Sequence, residues 1–187
     1  MIIYRDIIPF NSEIKNILME DEFKKLIHNK DEKFSTTYKN NINYKGILEK
    51  TNSFYSEIFS RIMKYFLLYN NTKYKFSFWY QIYDKDDSGH LIHDHFLGPE
   101  IFSWVHFISL PQSNCFHFKN GIENNFINEK ENDFIIFPSW AHHAVNPPSS
   151  GKRIVCAGNV SLLYYNKGNT EMNLKYSQNQ VSYMIKS

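Results

Sequence analysis

The sequence has only two cysteines, Cys115 and Cys156, too few for the disulfide framework of a small secreted protein. It also lacks an apolar run approaching the roughly 20 residues that a membrane-spanning helix needs. Segment 1–10 carries Arg5 and Asp6 within a short apolar stretch and has no small-residue cleavage site, so we do not expect a signal peptide. These absences predict a cytoplasmic protein without a membrane partner.

An excess of charge of one sign is also missing. The formal net charge is +2 at pH 7, which gives no argument for a nucleic acid as partner. Apolar side chains are plentiful, because hydrophobic residues make up 42% and aromatic residues 17% of the 187 residues. This composition argues against a disordered chain, and the length suits one core. We therefore expect a single domain over residues 1–187.

The hydrophobic pattern changes its period near residue 73. Apolar residues at helical spacing predict helices over 12–28 and 51–69. From Tyr74 to Tyr83 the pattern alternates as in a strand. Further strands are predicted at 101–110, 115–118, 125–127, 133–137, 144–146, 153–159 and 161–165. Helices followed by many short strands predict an α+β fold, with a helical part over about 1–72 and an antiparallel sandwich or barrel over about 73–187.

Histidines in the second part have the spacing of metal ligands. His93 and His95 are one residue apart, so on an extended strand both side chains point the same way. A third imidazole from another strand would complete one face of an octahedron and leave three positions open, as in non-haem iron oxygenases. His142 and His143 are both candidates for that third ligand. Adjacent strand residues face opposite ways, so we expect only one of them to bind.

Four segments carry a resemblance to a known family. They are Tyr83-x5-Gly89-x3-His93-x-His95, Ser103 to Pro111, Phe137-Pro138-Ser139-Trp140 with His143-x-Val145-x-Pro147, and Arg153-Ile154 with Asn159. In order and spacing they resemble the 2-oxoglutarate- and Fe(II)-dependent oxygenases, in particular a subgroup with an H-x-H metal motif. The resemblance covers about half of the chain. It implies a double-stranded β-helix (jelly roll) with N-terminal helices packed against the sheet, and Fe(II) held by His93, His95 and His143.

The resemblance also assigns a role to Arg153, ten residues after His143. In the family, 2-oxoglutarate chelates iron through one end, and a fixed cation holds its far carboxylate. An arginine suits this task because its planar fork binds a carboxylate bidentately and stays charged. The apolar run Ile154-Val155-Cys156-Ala157 predicts a buried strand, where an unpaired charge would be costly.

The sequence departs from the family pattern at several positions. His95 stands where most members have a carboxylate, so three neutral imidazoles would leave the iron more positive. Phe107 and Val155 replace a tyrosine and a serine whose hydroxyls often help to hold 2-oxoglutarate, and Trp104 replaces a glycine of the subgroup. Tyr83 is then the best hydroxyl candidate for binding the co-substrate.

The resemblance implies an Fe(II)- and 2-oxoglutarate-dependent dioxygenase that hydroxylates a small-molecule or peptide substrate and releases succinate and carbon dioxide. Two alternatives stay open. A cupin-type metalloprotein would use His93, His95, Glu100 and His142, but the glycines of its motifs are missing and Arg153 has no task in it. A metal-binding jelly roll without catalysis is consistent with the lost carboxylate and hydroxyls. The sequence carries no signal for a particular substrate or oligomeric state.

Overall fold

The computed structural model describes residues 1–29, 34–38, 42–66, 73–96, 98–163 and 183–184. Two antiparallel sheets pack against each other, and helices cover the other face of the larger sheet. The described helices are α1 (Ser12–Met19), α2 (Asp21–Ile27) and α3 (Ile47–Phe66), with a 3-10 turn at Tyr44–Gly46. Within the described ranges, none of the helices has the length and apolar character needed to cross a bilayer.

The strands are short except for three that form the centre of the larger sheet. They are β1 (Tyr4–Ile7), β2 (His28–Asn29), β3 (Phe34–Thr36), β4 (Lys73–Asp84), β5 (His90–His93), β6 (Glu100–Ser109), β7 (Phe116–Asn120), β8 (Glu123–Phe126), β9 (Asp133–Pro138), β10 (His143–Val145), β11 (Lys152–Leu163) and β12 (Tyr183–Met184). The larger sheet has the order β1-β9-β6-β11-β4-β3-β2, with β12 also paired to β4, and the smaller sheet has the order β5-β10-β7-β8. The predicted combination of helices with antiparallel sheets is confirmed.

Helices α1 and α2 replace the single helix predicted over 12–28. The side chain of Asn11 caps α1 by accepting the backbone N–H of Ile14. The break falls at Glu20, whose backbone is extended and whose carboxylate accepts a hydrogen bond from the Tyr44 hydroxyl. Because this contact comes from a distant segment, helical spacing could not predict the break.

Helix α3 begins at Ile47, four residues before the predicted start at 51. Its described part ends at Phe66, and the last predicted residues, 67–69, lie outside the described residues. The helix buries one apolar stripe, including Ile58, Phe59 and Ile62, against the larger sheet.

Strands β4 and β11 divide the interior into two cores because their side chains alternate between faces. Phe76, Tyr80 and Ile82 of β4 pack against the helices, whereas Trp79 and Tyr83 face the smaller sheet. The alternation predicted from Tyr74 to Tyr83 is therefore confirmed. The strands predicted at 153–159 and 161–165 are continuous as far as Leu163 and form one strand, β11, whose residues all pair with β4; residues 164–165 lie outside the described residues.

Three strands lie in the part of the chain predicted to be helical. Strand β1 pairs with β9 at one edge of the larger sheet, while β2 and β3 continue the sheet beyond β4. Most of β1 is exposed, so its sequence lacks the alternation that marks a half-buried strand. Backbone pairing and an ion pair between Arg5 and Asp133 hold it in place.

Candidate metal centre

Three histidines converge at one end of the smaller sheet. His93 is the last residue of β5 and His143 the first of β10, and the two are directly paired in register. His95 lies two residues beyond the end of β5, where its backbone N–H donates to the Ser139 carbonyl at 2.9 Å. One potential ligand nitrogen from each of the three rings lies within 4.8 Å of the others. This separation is compatible with a single bound metal ion.

The strand that carries the H-x-H pair is shorter than the sequence predicts. The H-x-H pair does not lie on one extended strand, because β5 ends at His93 and residues 94–96 have no regular structure. Beyond that end, the His95 backbone N–H donates to the carbonyl of Ser139, which lies between β9 and β10. A backbone contact beyond the end of β5 therefore helps to hold His95 beside His93 and His143.

Backbone carbonyl groups fix how two of the imidazoles are oriented. Nδ1 of His93 lies 2.8 Å from the Leu91 carbonyl oxygen, and Nδ1 of His143 lies 2.8 Å from that of Ala141. A carbonyl oxygen can only accept, so Nδ1 carries the hydrogen in both rings. The lone pair of each ring is then on Nε2, which is the arrangement of metal-ligating histidines with a backbone partner.

Burial keeps these rings in the neutral form that a metal ion requires. Desolvation lowers the pKa of His93 and His143, and it lowers the pKa of His95 to about 4, with the neighbouring His93 adding to the effect. Imidazoles with lowered pKa values are unprotonated at pH 7, so no proton has to be displaced before a metal binds.

The adjacent histidines His142 and His143 face opposite ways, as predicted for neighbouring residues. His143 is buried between the two sheets, whereas the side chain of His142 is 59% exposed and its Nε2 lies 3.2 Å from Oδ2 of Asp94. Within the described residues, the group of possible ligands contains neither His142 nor Glu100. The ligand set of the cupin alternative is therefore not brought together.

Arg153 lies in the same recess as the three histidines. The recess has about 320 Å³ of free space, including its open mouth, and Trp79, Gln81 and Val155 are among its other lining residues. Arg153 is the second residue of β11 and is 0% exposed. Its guanidinium carbon lies 5.6 Å from the ring centroid of Tyr83 and 5.5 Å from that of Phe107.

The guanidinium group is buried without hydrogen bonds. All three side-chain nitrogens of Arg153 lack a hydrogen-bond partner among the described residues. Burial lowers the pKa of this side chain, while Tyr83 and Glu129 act in the opposite direction. An arginine stays protonated even so, and burying its donors without hydrogen bonds is costly. Free donors in a fork, facing a recess, fit a carboxylate ligand.

Tyr83 lies directly opposite Arg153 in the pairing of β4 with β11. Its hydroxyl is buried and also has no hydrogen-bond partner in the part of the chain that the structure describes. Burial raises the pKa of this hydroxyl well above its usual range, so it keeps its proton and can donate. Phe107 and Val155, the positions where the resemblance led us to expect hydroxyls, contribute only apolar surface here. Trp104 faces the helices and takes no part in the site.

Two residues of the site were not found from the sequence. The ring of His90 stacks on that of His93 with centroids 3.9 Å apart, lines the recess, and has its pKa lowered by burial to about 3. Its position three residues before His93 was an available signal. Glu129 is buried next to Arg153 and belongs to no motif, so only the folded chain reveals it.

The turn before β5 depends on a glycine. Gly89 has φ +73°, and a Cβ atom there would lie 2.3 Å from the Val145 carbonyl oxygen of β10. Both the positive φ and the close approach exclude a side chain. Gly89 therefore allows β5 to lie against β10, which brings His93 beside His143.

Comparison with solved structures places this arrangement in a known fold. The chain superimposes on a 2OG-Fe(II) oxygenase family oxidoreductase from Burkholderia pseudomallei with a TM-score of 0.52 and 14% identity, covering 64% of this chain and 60% of that protein. It superimposes on the viral collagen prolyl hydroxylase of Paramecium bursaria Chlorella virus-1, in a 2OG complex, with a TM-score of 0.54 and 14% identity, covering 86% and 97%. It superimposes on a Pseudomonas putida prolyl-4-hydroxylase with a TM-score of 0.57 and 10% identity, covering 84% of this chain and 91% of that protein.

The chain has the fold of the 2-oxoglutarate- and Fe(II)-dependent oxygenases. No family model matches the sequence, and a search of curated protein sequences found no match. The chain spans only 60% of the Burkholderia oxidoreductase but nearly the whole length of the viral prolyl hydroxylase. At 10–14% identity, the oxygenase fold is what these superpositions share with this chain.

Proposed function

We propose that the chain is an Fe(II)- and 2-oxoglutarate-dependent dioxygenase that hydroxylates its substrate, and that its two sheets form a double-stranded β-helix. The observation that carries the proposal is the buried guanidinium of Arg153, which has no hydrogen-bond partner within the described ranges and lies in the same recess as three neutral imidazoles. The imidazoles fit a divalent transition metal, and the guanidinium fits a carboxylate. Together they fit a keto diacid that chelates a metal at one end.

Each side chain of the site has a defined part in binding. His93, His95 and His143 would hold Fe(II) through three neutral nitrogens, so the two positive charges of the ion stay uncompensated by the protein ligands. That favours an anionic chelating co-substrate in the open positions. Arg153 would bind the far carboxylate of 2-oxoglutarate with two parallel hydrogen bonds, and the Tyr83 hydroxyl would donate a further one.

When bound, Fe(II) and 2-oxoglutarate would supply the activation of molecular oxygen. One oxygen atom would enter succinate as the keto acid loses carbon dioxide, and the other would enter a C–H bond of the substrate as a hydroxyl group. The protein orients the co-substrate and excludes water. Val155 and Ala157 of β11 line the recess beside Arg153 with apolar surface, and Phe107 packs against its guanidinium. A dry site strengthens the contact between Arg153 and a carboxylate.

A peptide or a small molecule is the proposed class of substrate. The structural neighbours include proteins named as prolyl hydroxylases. In this chain, Phe96 follows the proposed ligand His95, and Trp140 precedes His143 by three residues; both side chains are more than half exposed. Exposed aromatic residues next to the site offer apolar contact to a substrate. The single domain and the cytoplasmic location stay predictions from the sequence.

The test is the formation of succinate from 2-oxoglutarate. We expect the protein with Fe(II) to form succinate and carbon dioxide in equal amounts in air, and to form neither without oxygen or with Mn(II) in place of iron. Anaerobic calorimetry with Mn(II) adds a measurement that does not depend on the prime substrate, because 2-oxoglutarate should bind in its absence. Metal binding without 2-oxoglutarate binding would contradict the proposal and favour a jelly roll without catalysis.

Tyr83→Phe is expected to change co-substrate affinity and stability in opposite directions. Its hydroxyl is buried without a partner, so its removal should stabilise the metal-free protein by about 1 kcal/mol. A hydrogen bond to a carboxylate would be lost on binding, which should weaken 2-oxoglutarate affinity by about tenfold. Urea unfolding and anaerobic calorimetry measure the two effects.

The matched control for Tyr83 is Tyr80→Phe in the same strand. The Tyr80 hydroxyl faces the helices and is hydrogen-bonded to Thr51, so its removal should lower stability and leave 2-oxoglutarate affinity unchanged. If Tyr83→Phe binds 2-oxoglutarate as tightly as the wild type, this hydroxyl does not contact the co-substrate.

A further inference from the structure

Glu129 is a buried carboxylate between β8 and β9 with a complete set of backbone partners. It is 1% exposed. Its Oε1 accepts the N–H groups of Cys115 at 2.8 Å and Phe116 at 2.9 Å, and its Oε2 accepts that of Asn114 at 3.0 Å. An ionised carboxylate is acceptor-only, which is what three N–H donors require. Glu129 is thus held as a fixed negative charge at the start of β7.

The same carboxylate lies beside the proposed anchor for 2-oxoglutarate. Oε1 of Glu129 is 3.8 Å from Nη2 of Arg153, and both side chains are 0% exposed. That distance is too long for a hydrogen bond, so the guanidinium keeps its donors for a ligand. It is short enough for a strong electrostatic interaction, because charges away from water are weakly screened.

The ion pair of Arg153 and Glu129 affects the net charge of the site. Three neutral imidazoles contribute nothing to the charge of a bound divalent cation, whereas the family's usual carboxylate ligand would remove one positive charge. With the cation, Arg153 and Glu129 counted together, two positive charges remain, which match the two negative charges of 2-oxoglutarate. Without Glu129 the site would carry one positive charge in excess.

We propose that Glu129 is a positioning residue that supplies, beside Arg153, the negative charge that the all-histidine metal set lacks. Because Glu129 would act on the co-substrate, this role rests on the proposed function. It sets the affinity for the dianion: the carboxylate repels the far end of 2-oxoglutarate and compensates Arg153 when no ligand is bound. Removing its charge should therefore make a dianion bind more tightly.

The experiment compares 2-oxoglutarate with pyruvate, which chelates a metal through the same keto-acid group but has no second carboxylate. Both ligands are titrated anaerobically by calorimetry into protein saturated with Mn(II). We expect Glu129→Gln to bind 2-oxoglutarate at least about tenfold more tightly, and pyruvate with less than about a threefold change, because pyruvate does not reach Arg153. Glu129→Asp keeps the charge and should not bind 2-oxoglutarate more tightly.

The control is Glu131→Gln, which removes a neighbouring carboxylate that is partly exposed and paired with Lys15. It should leave both affinities unchanged. A rescue test uses His95→Asp, which adds a carboxylate to the metal set and should weaken 2-oxoglutarate binding. The double variant His95→Asp/Glu129→Gln should return it to within about threefold of the wild type, since the charge is restored.

A purely structural Glu129 would give a different pattern. In that case Glu129→Gln and Glu129→Asp would both bind 2-oxoglutarate no more tightly than the wild type does. The double variant would bind 2-oxoglutarate more weakly than His95→Asp does. Either result overturns the proposal. The calorimetric stoichiometry reports the folded fraction. If Glu129→Gln does not fold, His95→Asp decides the matter, because it keeps Glu129: 2-oxoglutarate binding by His95→Asp as tight as by the wild type would overturn the proposal. If the wild type binds no 2-oxoglutarate, the proposed function itself fails.

Discussion

His143→Ala is expected to lose metal affinity by more than about 100-fold, whereas His142→Ala should retain it. Loss of a group that only orients a metal ligand typically lowers metal affinity 10–100-fold, and loss of the ligand itself should lower that affinity further. His143 is buried, with its Nδ1 hydrogen-bonded to the Ala141 carbonyl and its Nε2 free to bind. His142 is on the outside, paired with Asp94 at the surface.

The measurement is titration of Mn(II) or Fe(II) under anaerobic conditions. His142→Ala is the matched control because it removes the same ring one residue away, and loss of its exposed contact with Asp94 should cost at most about 1 kcal/mol of stability. His93→Ala and His95→Ala should behave like His143→Ala. Strong loss in His142→Ala with retention in His143→Ala would support the cupin ligand set instead.

The residues of the candidate site were visible in the sequence because short motifs carry them. The H-x-H pair, the two adjacent histidines and the arginine ten positions later are all local patterns. The rule that adjacent strand residues face opposite ways predicted that only one of His142 and His143 lies inside. The resemblance selected His143, and the structure buries that ring next to His93 and His95.

The features of the structure that could not be predicted from the sequence depend on contacts between distant segments. Strand β5 ends at His93, and the backbone of His95 then binds Ser139, more than 40 residues later. The edge strand β1 is largely exposed and has no hydrophobic period, so only its pairing with β9 reveals it. Glu129 reaches Arg153 from a loop, and no spacing rule links two such residues. Periodicity reports which face of an element is buried, and not what it meets there.

Arg153→Ala is expected to keep metal binding and to lose 2-oxoglutarate affinity by roughly 30-fold to several thousand-fold. A charge-assisted contact in a partly dry pocket can cost about 2–5 kcal/mol when its partner stays buried, and each 1.4 kcal/mol is tenfold. Arg153→Lys should recover only part, because an ammonium group cannot reproduce two parallel hydrogen bonds. Calorimetry with Mn(II) in place of iron measures the affinities for the metal ion and for 2-oxoglutarate without turnover.

The neighbouring cation Lys152 supplies the matched control. Its ammonium group binds the Met19 carbonyl and Asp21, both 3.1 Å away on the helix side, so Lys152→Ala should leave 2-oxoglutarate affinity unchanged. Arg153→Ala also leaves Glu129 as an uncompensated buried charge, which should lower stability apart from any effect on binding. Arg153→Ala/Glu129→Gln removes that charge as well, so it should regain stability but not 2-oxoglutarate affinity. If Arg153→Ala binds 2-oxoglutarate as tightly as the wild type, the guanidinium does not anchor it, and another group must hold the far carboxylate.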